Sequence, residues 1–108
     1  MDRDQQDKWA QRAQLAQAAA AQAYARLLTL AESGDLGQAR RVARFLAATF
    51  DGAAFAFDLF DLRALDVAIS DDALACIDAL RWGKADLHSL VPDGERRIKA
   101  LINAWDFG

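Results

Sequence analysis

DQQDKWAQRAQLAQAAAAQAYARLLTLAE, residues 4–32, contains neither glycine nor proline and consists mostly of Ala, Gln, Leu and Arg. These residue types lose little on entering a helix. Its apolar positions Trp9, Ala13, Ala16, Ala20, Ala23, Leu27 and Leu30 alternate four and three apart, the spacing that keeps one seam on one side of a helix. The stretch therefore predicts one continuous helix of about eight turns. Because the seam is mostly alanine, another helix can come close to it, at little gain in buried area. Either that helix belongs to the same domain, or the seam meets a second copy of itself in a homodimer. Ser33, Gly34 and Asp35 end the run, since glycine tolerates the left-handed backbone of a helix C-terminus and Asp35 can cap the next helix.

The whole chain has 108 residues, the size of one domain, with roughly the first eight residues expected to fray. Apolar residues make up 54% and 25 of them are alanine, so the core should be thin. Val, Ile and Thr number nine in all, too few for the pleated surfaces that β-branched side chains favour. The expected fold is all-α: a small bundle of four to five helices with a long Ala-rich N-terminal helix. A second helix should run from Leu36 to Phe50, with Val42, Phe45, Leu46, Thr49 and Phe50 inward and Arg40, Arg41 and Arg44 on the other side. Asp51-Gly52 reads as a turn. A short helix is expected near 58–64 and a longer one over 67–82, with Asp66 or Ser70 as cap, Gly83 as stop, and Ile69, Ala73, Cys76, Ile77 and Leu80 inward. Pro92-Asp93 should open the last helix, whose inward face is Ile98, Leu101, Ile102 and Trp105.

The formal net charge is −3, which repels phosphate backbones and anionic lipid as a whole. Its distribution is uneven. Residues 1–50 carry seven basic and five acidic side chains, residues 51–78 one against seven, and residues 79–108 five against four. The middle is an acidic block. The charged, amide-rich N-terminus does not read as a secretory signal, and no apolar run reaches the length of a membrane helix. A cytoplasmic protein that does not engage a membrane is the expectation.

Reactive chemistry finds little material. His88 is the one histidine and sits in a connection with no triad spacing around it. Cys76 is the one cysteine and falls on a helical apolar stripe, where a thiol acts as a small hydrophobe. Asp58 and Asp61 with Asp71 or Asp72 come nearest to a carboxylate cluster for a hard cation, but no calcium-loop spacing is present. No catalytic, cofactor or metal residues are assigned. The candidate partner-binding residues are Asp58, Asp61, Asp71 and Asp72 on the acidic block, and Arg40 and Arg44 in the basic cluster. Asp61 or Asp66 could turn inward to meet Arg40 or Arg41, and Arg41 with Asp66 is the structural ion pair expected.

Residues Leu27 to Gly108 resemble a family of small helical proteins of unknown function encoded on proteobacterial integrative elements, plasmids and phage-like islands. The most specific pieces are Gln38-Ala39-Arg40-Arg41-Val42-Ala43 and Phe57-Asp58-Leu59-x-Asp61-Leu62. The resemblance implies an all-helical domain and a mobile-element setting, and no mechanism. The function expected is a non-enzymatic protein-protein interaction module. One alternative is an acidic nucleic-acid mimic that inhibits a host defence complex; another is a small DNA-binding accessory regulator using Arg40, Arg41 and Arg44, although nucleic acid is not the partner that the net charge favours.

Overall fold

The computed structural model describes residues 3–34, 37–105 and 107, and among them every regular element is helical. Helix α1 spans Arg3–Glu32, α2 Gln38–Phe50, α3 Val67–Trp82 and α4 Gly94–Trp105, with 3-10 segments at Leu59–Ala64 and Leu87–Leu90. At a rise of about 1.5 Å per residue, a helix the length of α1 measures about 45 Å, and the longest dimension of the molecule is 48 Å. The first helix thus sets the long axis. It is helical from Arg3 onward, where fraying was expected, although nothing before Ala13 is buried. The expected Asp35 cap and the expected helix start at Leu36 lie outside the described residues.

Ala13, Ala16, Ala20, Ala23 and Leu27 are buried as the seam requires, whereas Leu30 is half-buried and Trp9 is exposed. The last turns of α1 also bury Tyr24, Leu28 and Ala31, because α3 covers one side of the helix while α2 and the second 3-10 segment cover others. The seam is therefore filled within one chain. From Ala13 to Leu27 it faces its own domain, one of the two sequence expectations, while Trp9 ahead of it stays exposed.

Helix α3 departs from its expected face. Its buried residues are Ala73, Cys76 and Ala79. Ile77 is half-buried and Leu80 is exposed. The contact of α3 with α1 is the most extensive between any two elements, and small side chains buried on both helices are what lets two helix surfaces pack closely. Leucine does not fit such a contact, so the larger side chains turn outward.

Helices α2 and α4 follow the expected pattern more closely. Val42, Phe45 and Leu46 are buried with Ala39, Ala43 and Ala47, and Ile98 and Leu101 are buried on α4 with Ile102 and Trp105 half-covered. Gly83 ends α3 in the left-handed conformation, φ 63°, its N–H donating to the Leu80 carbonyl. Helix α4 begins two residues after Pro92, because Asp93 takes a positive φ of 56° and its carbonyl accepts the Arg97 N–H. Gly94 is required there: a Cβ would run into the His88 backbone carbonyl. Among the described residues, no helix is long and apolar enough to cross a membrane.

Candidate functional site

The outward side chains of α3 are the starting point. Leu74, Ile77 and Leu80 are spaced three apart and wind along one strip. Leu74 is 52% exposed and Leu80 40%, and beside them Val67 is 76%, Leu59 70% and Phe60 72% exposed. Ile77, Leu80 and Leu59 border a shallow depression of about 480 Å³ whose floor includes Phe45 and Phe57. The two phenylalanines meet edge to face, ring centroids 5.4 Å apart. Scattered exposed leucines are ordinary on a protein surface; several large apolar side chains bordering one depression are not.

The acidic block surrounds this strip, and the structure divides its carboxylates by what each holds. Asp72 takes Arg26 of α1 in a two-point contact, 3.0 and 2.8 Å. Asp78 holds Arg81 at 2.6 Å. Asp58 caps the first 3-10 segment, accepting the Phe60 N–H at 3.0 Å, and Asp51 accepts the Ala54 N–H in its turn. Asp61, Asp66 and Asp71 hold no cation by their carboxylates within ion-pair distance among the described residues. The four aspartates singled out from sequence thus have different tasks: Asp58 and Asp72 are engaged in holding the fold, and Asp61 and Asp71 are available.

The expected Arg41–Asp66 ion pair is not formed, and this is a correction. Gln38 instead reaches the main chain around Leu65, not the Asp66 carboxylate. Its Nε2 donates to the Ala64 carbonyl at 3.0 Å and its Oε1 accepts the Asp66 N–H at 3.1 Å. Asp66 flanks the start of α3, and its carbonyl accepts the Ser70 N–H, but its side chain makes no capping bond. Asp61 is half-buried and borders a depression with Gly37, Arg40, Arg41 and Arg44, close to the arginines without forming an ion pair.

Arg40 and Arg44, one turn apart on α2, lie beside the aromatic end of the chain. The Arg40 guanidinium is 6.0 Å from the ring centroids of both Trp105 and Phe107, and that of Arg44 is 5.7 Å from Phe107. Trp105 and Phe107 are nearly parallel, 4° apart, with centroids at 6.4 Å. The same two arginines border a groove of about 250 Å³ that Phe55 and Phe107 wall. The remaining lining residues are Ala47, Ala54 and Ala56.

The reactive side chains are not assembled. His88 is half-buried and packs edge-on against Phe50. Cys76 is fully buried, and burial, followed by the neighbouring Asp72 charge, pushes its thiol up to about 12; the nucleophilic thiolate is thereby suppressed. Among the described residues, no group of three His, Cys, Asp or Glu side chains is placed to hold a metal ion. Trp82 Nε1 is buried without a hydrogen-bond partner, while the guanidiniums of Arg81 and Arg12 lie 4.8 and 5.4 Å from its ring centroid.

Sequence reasoning misses the outward strip of α3, because it places Leu80 inward and passes over Leu74. Alanines Ala73 and Ala79, three apart on either side of Cys76, are the signal that could have found it. It also misses the two-point pair of Glu32 with Arg97, 2.6 and 3.0 Å, which joins α1 to α4 and holds the Glu32 carboxyl below its usual range. No curated protein and no solved structure matches the chain. The family of unknown function DUF7673 matches residues 21–106, nearly the span over which the sequence showed its resemblance, and the chain belongs to that family.

Proposed function

We propose that the protein is a non-enzymatic docking module of the bacterial cytoplasm, an accessory of a mobile element, that binds a basic amphipathic segment of a partner protein along the outer face of α3 and the first 3-10 segment. One observation carries the reading: α3 buries Ala73, Cys76 and Ala79 and exposes Val67, Leu74 and Leu80, so its valine and both of its leucines contribute less to its own fold than their size allows. Asp61, Asp66 and Asp71 supply the electrostatic preference, since these carboxylates favour a lysine- or arginine-rimmed partner and disfavour an acidic one. The apolar strip gives such a partner its anchors.

Titration calorimetry with two synthetic helices tests this, one with a leucine face and a lysine rim, the other with the same leucines and a glutamate rim. The lysine helix should bind, more weakly as salt rises, and lose most of its affinity to Leu74→Ser/Leu80→Ser. Equal binding of both helices, or indifference to the serine variant, overturns the reading. The nucleic-acid-mimic alternative makes the opposite demand, because it depends on Asp58, Asp61, Asp71 and Asp72 and is indifferent to Leu74 and Leu80. Two of those four carboxylates are already engaged, which weakens it.

A further inference from the structure

We propose that the groove between Arg40, Arg44, Phe55 and Phe107 is a binding site for a small anion with a planar aromatic body, the anionic head held by the two guanidiniums and the ring laid against the phenylalanines. This groove adjoins the depression beside α3, sharing Phe55 and Ala56 with it, but it presents guanidiniums where that face presents leucines, and the two readings are tested by different variants.

The first support is the distribution of ion pairs. Arg26, Arg81, Arg96 and Arg97 each find a carboxylate. Arg40, Arg41 and Arg44 find none among the described residues, in a chain with more acidic than basic side chains; Arg3, Arg12 and Arg63 find none either, but only Arg40, Arg41 and Arg44 stand together on one helix. Cations left unpaired under an acidic excess are where an external anion gains most. The second is preorganisation. Trp105 and Phe107 hold the Arg40 and Arg44 guanidiniums over their ring faces, which reduces the side-chain ordering that binding would otherwise cost. The third is the shape and chemistry of the concavity. Apart from the two arginines, its lining residues are Phe55, Phe107 and three alanines, so the guanidiniums are the polar side chains that the groove offers, and aromatic walls favour a flat ring.

Size and charge restrict the ligand further. A space of about 250 Å³ falls just under the usual range of about 300–1,000 Å³ for ligand pockets, enough for one ring system with its head group and too little for an oligonucleotide. Asp61 stands in the adjoining depression beside Arg40, Arg41 and Arg44 and repels accumulating negative charge, which favours a single anionic head over a phosphate polymer. Carboxylate and phosphate heads share the required geometry, since either accepts paired N–H donors from arginine.

The test uses the full chain and follows the Arg Nε–H resonances by NMR while adding adenosine monophosphate, indole-3-acetate, adenosine, inorganic phosphate or a single-stranded oligothymidylate. Saturable shifts of Arg40 and Arg44 are expected with adenosine monophosphate or indole-3-acetate; which of the two binds more tightly identifies the phosphate or the carboxylate as the natural head. Adenosine and inorganic phosphate should each bind at least about ten-fold more weakly, since each lacks half of the recognition. Arg40→Gln and Arg44→Gln should each weaken the better ring anion roughly ten-fold, and Phe55→Ala, which removes a wall of the groove and leaves the guanidiniums on Trp105 and Phe107, should weaken it without affecting inorganic phosphate. The proposal is overturned if neither ring anion saturates, if inorganic phosphate binds as tightly as both, if the oligonucleotide binds more tightly than the mononucleotide, or if shifts in the wild-type chain map away from Arg40 and Arg44.

Discussion

Helices α3 and α4 distribute side-chain size in opposite ways. On α4 the large residues Ile98 and Leu101 are buried, and the small Ala100 and Ala104 face solvent. On α3 the small residues Ala73, Cys76 and Ala79 are buried, and Val67, Leu74 and Leu80 face solvent. The difference stems from the surface each helix packs on. Helix α4 lies mainly against α2 and the second 3-10 segment, where Phe45, Leu46, Leu87 and Val91 contribute the bulk of the core and larger partners gain area. Helix α3 lies along the alanine seam of α1, where close approach of two narrow surfaces replaces area. Hydrophobicity alone does not identify the inner face of a helix: the volume its neighbour leaves decides.

Four substitutions break or sharpen this contrast. The largest effect belongs to α4. Ile98→Ala removes a fully buried branched side chain from a core in which ten of the 22 buried apolar residues are already alanine, and should cost about 2–5 kcal/mol, read from the urea midpoint. On α3 the damaging change is the opposite one. Ala73→Leu forces volume into the α1 contact and should cost about 1–3 kcal/mol. Cys76 reports on the same contact. Its thiol, pushed up to about 12 by burial, should resist maleimide at neutral pH in the native protein, and Ala73→Leu should speed labelling by admitting local opening. Labelling of the wild-type chain at the rate of a free thiol would show that the two alanine surfaces are not closed.

The third change compares how each helix is tied to α1, α3 by Arg26–Asp72 and α4 by Glu32–Arg97. Hydrogen bonding from Arg97 lowers the Glu32 pKa. The stabilisation is therefore present above the ordinary carboxylate range and is lost as pH falls through the depressed value, below about pH 4. Both side chains reach solvent, so the effect should stay under about 1 kcal/mol. Glu32→Gln should lower Tm at pH 7 and leave a shallower decline from pH 4 to pH 2 than the wild type shows. The smallest stability effect is expected for Leu74→Ser/Leu80→Ser, within about 0.5 kcal/mol per site. That pair should nonetheless abolish binding of the lysine-rimmed helix, and a large fall in Tm would instead place these leucines in the core.

The helices were legible in the sequence because their signals are local. The unbroken run before Ser33, the glycine at 83, and Ile98, Leu101, Ile102 and Trp105 at helical spacing each specify an element from within it. The orientation of α3 was not legible, because Leu74, Ile77 and Leu80 on one strip and Ala73, Cys76 and Ala79 on the next have equally helical spacing; only the narrowness of the α1 seam chooses between them. The candidate sites were legible as clusters of charge and not as geometry. Arg40 and Arg44 stood out one turn apart, yet their aromatic companions come from the far end of the chain. Asp72 is committed by Arg26, 46 residues away in the chain, a contact with no short-range signature, whereas the Asp58 cap on Phe60 is local and its signal lay in the sequence.

The fork that Gln38 makes on the loop before α3 has a consequence for how this chain builds irregular structure. A carboxamide carries the same donor and acceptor as a peptide group, and Leu65, which it brackets, has the φ and ψ of an extended strand, −84° and 145°. One glutamine thus imitates the missing neighbour of a two-residue ribbon, satisfying outstretched main chain where no sheet exists. Glutamate could not replace it, since an ionised carboxylate accepts but cannot donate, and the Ala64 carbonyl would lose that bond.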